Sequence, residues 1–303
     1  MKPARPLWLL AAPAVFLLLW SAGFAIAKLG LPHAPPPPFV ALRYARVVTL
    51  LLPRAAVLPP PLPRGWRAWA DVALVGFLIQ VVYFGLAYLA FKTGMSAGGV
   101  AIVVCLQPIL VALIAPRLVA EAVDCRVLAG LRLGLAGGLH ALLSPAGVPG
   151  PAMVRGSSKA GPMAGIALTV LALFGITAGT LYEKRFGVSH HPVISNLIQY
   201  AVGAGVTVPL ALMTEDVALR WDGEFIAVMA YLVIGNSILA MSLLLAMIRA
   251  GEVSRVSSLF YLVPAMSALF AWPILGEAMP PLAWVGMAMS GAGVALVSRK
   301  KRA

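Results

Sequence analysis

The stretches LQPILVALIAPRLVAE (Leu106–Glu121) and LVPAMSALFAWPILGE (Leu262–Glu277) are one element written twice. The offset of 156 residues that aligns them holds across most of the chain. At that offset Ser21 falls on Thr177, Gly23 on Gly179, Lys28 on Lys184, Tyr44 on Tyr200, Gln80 on Asn236, Pro108 on Pro264 and Glu121 on Glu277. The 303 residues therefore read as two homologous halves, 1–143 and 162–303, joined by a linker at 144–161 rich in Gly, Pro and Ser. If each half crosses a membrane an odd number of times, the second half lies upside down relative to the first. Many secondary transporters are built this way, with the substrate site at the repeat interface near the bilayer midplane.

Composition supports the membrane. With 61% hydrophobic and 11% charged residues, and a mean hydropathy of +0.94, the chain has more apolar surface than a water-soluble fold of this size could hide. The net charge of +13 does not point to nucleic acid, because Lys and Arg sit in short segments between apolar runs rather than in a basic stripe with interleaved aromatics. Cys105 and Cys125 form no disulfide framework and match no metal-ligand spacing. Lys2, Arg5 and the later Ala25-Ile26-Ala27 imitate a cleaved secretory signal. The apolar run of residues 7–27 is long enough to span, however, and it has a repeat partner in mid-chain.

Runs able to cross about 30 Å of hydrocarbon at about 1.5 Å per residue lie near 7–27, 37–53, 69–91, 96–116, 126–143, 162–183, 192–213, 224–248, 255–275 and 281–298. That is ten predicted spans, five in each half. With the N-terminus inside, the cytoplasmic loops and ends carry 15 Lys and Arg against 5 on the opposite side. The bias places both termini in the cytoplasm. The expected fold class is thus an all-α integral membrane protein of ten helices in two inverted five-helix repeats.

The chain resembles the EamA branch of the drug/metabolite transporter superfamily. The resemblance rests on Trp20-Ser21-Ala22-Gly23-Phe24-Ala25-Ile26-Ala27-Lys28, Ala41-Leu42-Arg43-Tyr44, Leu106-Gln107-Pro108-Ile109-Leu110, and Leu262-Val263-Pro264 through Gly276-Glu277 to Gly291-Ala292-Gly293-Val294-Ala295-Leu296. It covers essentially the whole chain. Ala120-Glu121 stands where the family usually shows Gly-Glu, and Gln199 replaces a helix-2 arginine in the second half. The resemblance implies a permease or exporter in the inner membrane. It also implies a central cavity lined by spans 1, 3, 4, 6, 8 and 9, which puts Trp20 and Gln107 in the substrate-binding set.

Polar groups inside a span are costly unless they face protein or a water-filled cavity. Gln80 and Asn236 are the sharpest pair, near mid-span and repeat-equivalent, with an interhelical hydrogen bond as the plainer alternative. Gln80, Tyr83, Phe84 and Tyr88 recur at helical spacing and suit an amphipathic or aromatic metabolite, with a helix-packing surface as the plainer alternative. Arg43 and Arg46 lie one turn apart; Arg46 is expected to sit deeper, Arg43 to reach toward the headgroups, and one of them to attract an anionic group. Pro108 and Pro264 interrupt spans 4 and 9, either as gating hinges or as fixed kinks that serve shape complementarity. No Asp or Glu lies near the middle of a predicted span, which favours facilitated transport or exchange, or else coupling through acids placed at span ends. The lack of a Gly-Lys-Ser/Thr phosphate loop excludes ATP drive within the chain. No metal or cofactor is expected. The expected partners are a small-molecule substrate and the lipid bilayer, with a homodimer left open. The rival readings are a membrane-embedded enzyme on lipid-borne substrates and a non-transporting scaffold.

Overall fold

The computed structural model describes residues 8–57, 60–107, 162–187, 190–213, 219–249 and 262–277, with isolated positions at 110, 111, 114 and between 281 and 292. Every regular element among the described residues is helical. In the first half these are α1 (Trp8–Gly30), α2 (Pro36–Val57), α3 (Trp66–Lys92) and α4 (Ala97–Val104). In the second half α5 covers Pro162–Tyr182 and tightens no further but widens into a π-helical turn, Glu183–Gly187. It is followed by α6 (Pro192–Met213). Next comes α7, which is α-helical over Gly223–Ala230 and Met241–Arg249. The last is α8 (Val263–Leu275). The predicted spans near 126–143, most of that near 281–298, the linker 144–161, and Pro108 and Glu121 lie outside the described residues.

Helices α1, α3, α5, α6 and α7 contain stretches of 20 to 27 residues that are long and apolar enough to cross a membrane. Helix α2 is as long, at 22 residues, but carries Arg43, Arg46 and Arg54. Local chemistry sets several ends. Ser96 caps α4 by accepting from Gly99 N–H at 2.9 Å, and Asp222 caps α7 by accepting from Phe225 N–H at 2.8 Å. Gly276, at φ 68°, closes α8 in the left-handed conformation that glycine adopts without strain.

The two halves interlock reciprocally. Helix α2 lies along α6; α1 packs on α7 and α8, and α5 packs on α3 and α4. Tyr44 and Tyr200, equivalent in the repeat, meet edge to face with ring centroids 5.3 Å apart. Gly23 lets α1 approach Asn236 of α7, and its counterpart Gly179 lets α5 approach Ile79 of α3; a Cβ at either would collide with its neighbour.

The middles of α3 and α7 are both π-helical, over Phe77–Gly85 and Tyr231–Ala240. The repeat offset superposes these stretches almost entirely, and they contain Gln80 and Asn236. A π stretch breaks the regular carbonyl pairing, and such bulges concentrate at functional sites. Here freed carbonyls find side chains: the Tyr44 hydroxyl donates to Gln80 O at 2.6 Å, and the Asn196 amide donates to Ser237 O at 3.1 Å. Outward-facing Leu50, Leu171, Phe174, Leu212 and Trp272 present the apolar surface that a bilayer requires.

Where α3 crosses α6, Gly76 is pressed against the backbone of Gln199, and a Cβ would sit 2.7 Å from its Cα. Gly205 of α6 has nothing within 4 Å of the same position. Gly76→Ala should therefore force the helices apart and cost about 1–3 kcal/mol. Gly205→Ala should be neutral or gain up to about 1 kcal/mol. Thermal unfolding of the two variants in detergent compares them directly.

A candidate substrate cavity

The buried stripe of α2 is Phe39, Val40, Arg43, Tyr44, Val47 and Leu51, spaced as one helix face. Arg43 belongs to that stripe and is 1% exposed; Arg46 falls off its edge and is exposed. The expectation for the two arginines is thereby reversed. Position along a helix does not fix the direction of a side chain, and the apolar spacing around Arg43 turns it inward.

The Arg43 guanidinium gathers three helices. Its Nε donates to Ser237 Oγ at 2.9 Å, Nη1 to Tyr88 Oη at 3.0 Å and Nη2 to Asn236 Oδ1 at 2.8 Å, while Cζ lies 4.7 Å from the centroid of the Phe84 ring. The Asn236 amide in turn donates to Leu19 O of α1 at 3.3 Å. All three acceptors on Arg43 are neutral.

Around this group lies a cavity between the halves. Trp20, Phe24, Tyr83, Phe84, Tyr88 and Phe91 form its aromatic wall. Gly23, Ala27 and Ala87 line the narrow side, and Arg43 and Asn236 are its polar members. Counting the open mouth, the space between the walls is about 320 Å³. Across it, the Trp20 ring of α1 and the Phe84 ring of α3 stand with centroids 6.2 Å apart. A metabolite enters only if helices or rings move.

Of the residues singled out in the sequence, Trp20, Arg43, Tyr83, Phe84, Tyr88 and Asn236 come together on this wall. Gln80 does not: it is buried beside Tyr44 and below Gly203, and neither atom of its amide has a hydrogen-bond partner among the described residues. Gln107 donates to Thr180 Oγ1 at 2.8 Å, joining the continuation of α4 to α5. Pro264 stands in the first turn of α8, where a missing N–H costs nothing, and the proline inside that helix is Pro273.

Two features lie outside the residues singled out for the cavity. Ser237 escaped notice because a serine in an apolar run carries no signal by itself. The other is an ion pair at the end of the cavity beyond Ala27. Lys28 pairs with Glu277, with Nζ also donating to Met95 O at 2.9 Å, and the second Glu277 oxygen accepts from Ala97 N–H at 3.0 Å. This ties α1, α8 and the start of α4 into a latch. Its trace in the sequence is that both charges recur in the other half, as Lys184 and Glu121.

Residues 7–142 and 163–299 each match the profile of the EamA-like transporter family. The chain belongs to that family. It is a transporter of the drug/metabolite superfamily rather than an enzyme, and a multi-pass protein of the inner membrane. It is 24% identical to the uncharacterized transporter YvbV of Bacillus subtilis, over 96% of this chain and 91% of the relative. To a probable amino-acid metabolite efflux pump of Salmonella typhimurium it is also 24% identical, over 92% and 90%. The uncharacterized inner membrane transporter YedA of Escherichia coli K12 is 23% identical over 94% and 88%. A protein solved by crystallography aligns over 97% of both chains with a TM-score of 0.71 at 19% identity, which shows the shared fold.

If Lys28 and Glu277 close one mouth of the cavity, Glu277→Gln should loosen it. In a background without Cys105 and Cys125, Ala27→Cys should react with a membrane-impermeant thiol reagent several-fold faster when Glu277→Gln is added. An unchanged rate would remove the latch.

Proposed function

We propose that this permease moves a small metabolite, in the class of amino-acid derivatives or other amphipathic compounds, by alternating access around the Arg43 cavity. The observation that carries the reading is that the cavity belongs to neither half alone. Helices α1, α2 and α3 of the first half supply most of the wall, and Asn236 of the second half completes it by bonding to Arg43. A rocking motion of one half against the other would open that seam first to one side and then to the other.

On this reading the chain has ten spans, with inverted repeats at 1–143 and 162–303 and both termini cytoplasmic. Asn236, Tyr83, Phe84, Tyr88, Trp20 and Arg43 contact the solute, and Gln80 acts from behind the wall by positioning Tyr44 and the α3–α6 contact. The similarity to the probable amino-acid metabolite efflux pump of Salmonella typhimurium favours export of such compounds.

The test is flux of labelled amino acids and related metabolites in proteoliposomes, with and without an imposed pH gradient. Movement of at least one solute is expected, with a loss of tenfold or more in Asn236→Leu and little change in Arg46→Gln, whose side chain faces outward. Transport that persists at full rate in Asn236→Leu, or that falls equally in Arg46→Gln, would contradict the assignment of this cavity.

A further inference from the structure

The acids of the described residues all lie elsewhere. Asp71 accepts from Tyr182, Glu183 from Gln199, Asp222 and Glu224 lie against His33, and Glu277 pairs with Lys28. Among the described residues no acidic side chain lines the cavity. A guanidinium has five N–H donors; Arg43 spends three of them, all on neutral oxygens. Its charge is therefore buried and hydrogen-bonded but not neutralised by any described residue, and two donors remain. Guanidinium recognises carboxylate through two parallel N–H bonds.

The rest of the wall fixes what should be attached to that carboxylate. Six aromatic side chains with Gly23, Ala27 and Ala87 offer apolar faces and little polar surface. An α-ammonium group would sit close to the guanidinium, with like charge, and would find no carboxylate to receive it.

Resting on the transport reading above, we infer that the cavity selects a monoanionic organic acid with an aromatic or branched apolar body and no ammonium group. The carboxylate docks on Arg43 in place of one or two of its neutral acceptors, and the body lies against Trp20, Phe84 and Tyr88. Displacing Asn236 or Ser237 from Arg43 frees the π-helical stretch of α7 from α2. Binding of the acid is thus coupled to the seam that must open.

Matched solutes test this on the wild-type protein. Two sets share a body: 3-phenylpropanoate, phenylalanine and 3-phenylpropanamide; and 4-methylpentanoate, leucine and 4-methylpentanamide. Ligand-induced thermal stabilisation in detergent and counterflow in proteoliposomes are read at pH 8, where the acids are ionised. The expected result is that each acid binds at least tenfold more tightly than its amino acid and its amide. Arg43→Lys, which keeps the charge and loses the fork, should shrink that preference. Equal or tighter binding of the amino acids, or binding of the amides alone, overturns the substrate class while leaving a transporter. Movement of no solute of any class contradicts the transport reading itself. Because the ranking is made on the wild type, it stands even if Arg43→Lys fails to fold.

Discussion

A positive charge held out of water in the middle of a membrane protein has to be answered by its neighbours, and the neighbours of Arg43 organise the molecule. Placing an arginine at the centre of a span costs about 2.5–3.5 kcal/mol on insertion scales. Hydrogen bonds to a charged group return about 1.5–3 kcal/mol each, and the Phe84 ring adds a desolvated cation–π contact. To collect these terms, α2 must bring Arg43 to Tyr88 of α3 and to Asn236 and Ser237 of α7 at once. The guanidinium thus fixes the relative placement of three helices from both halves.

The same contact is where the internal symmetry breaks. Tyr44 and Tyr200 meet each other, Gly23 and Gly179 play matching parts, and the π stretches of α3 and α7 occupy equivalent positions. The repeat counterpart of Arg43, however, is Gln199, which reaches buried Glu183 at 3.4 Å. One half therefore carries a buried cation and the other a buried acid beside a neutral amide. The unmatched charge gives the cavity its chemistry.

Much of the scaffold was legible in the sequence because a membrane leaves few choices. A span must be long, apolar and helical, so the stretch expected at 192–213 coincides with Pro192–Met213. Aromatic spacing likewise identified Tyr83, Phe84 and Tyr88 as one face. What could not be read is whatever depends on rotation or on distant partners. Arg46 was misjudged because depth along α2 says nothing about direction. The π stretches leave no compositional trace. Gln80 and Asn236 look equivalent in the repeat, yet only Asn236 meets the Arg43 guanidinium, because Gln199 stands at the matching position of the second half. The break after Val104, where α4 ends inside the stretch expected at 96–116, is similarly silent in an apolar run.

The central claim is that the solute is held at the seam between the halves by Arg43. The most direct measurement is an experimental structure of the protein with a transported solute bound. The account predicts density within hydrogen-bond distance of the Arg43 guanidinium, between α1, α3 and α7, with at least one of Asn236, Ser237 and Tyr88 displaced from its present bond. Solute density elsewhere, with Arg43 still holding all three neutral partners, would contradict it.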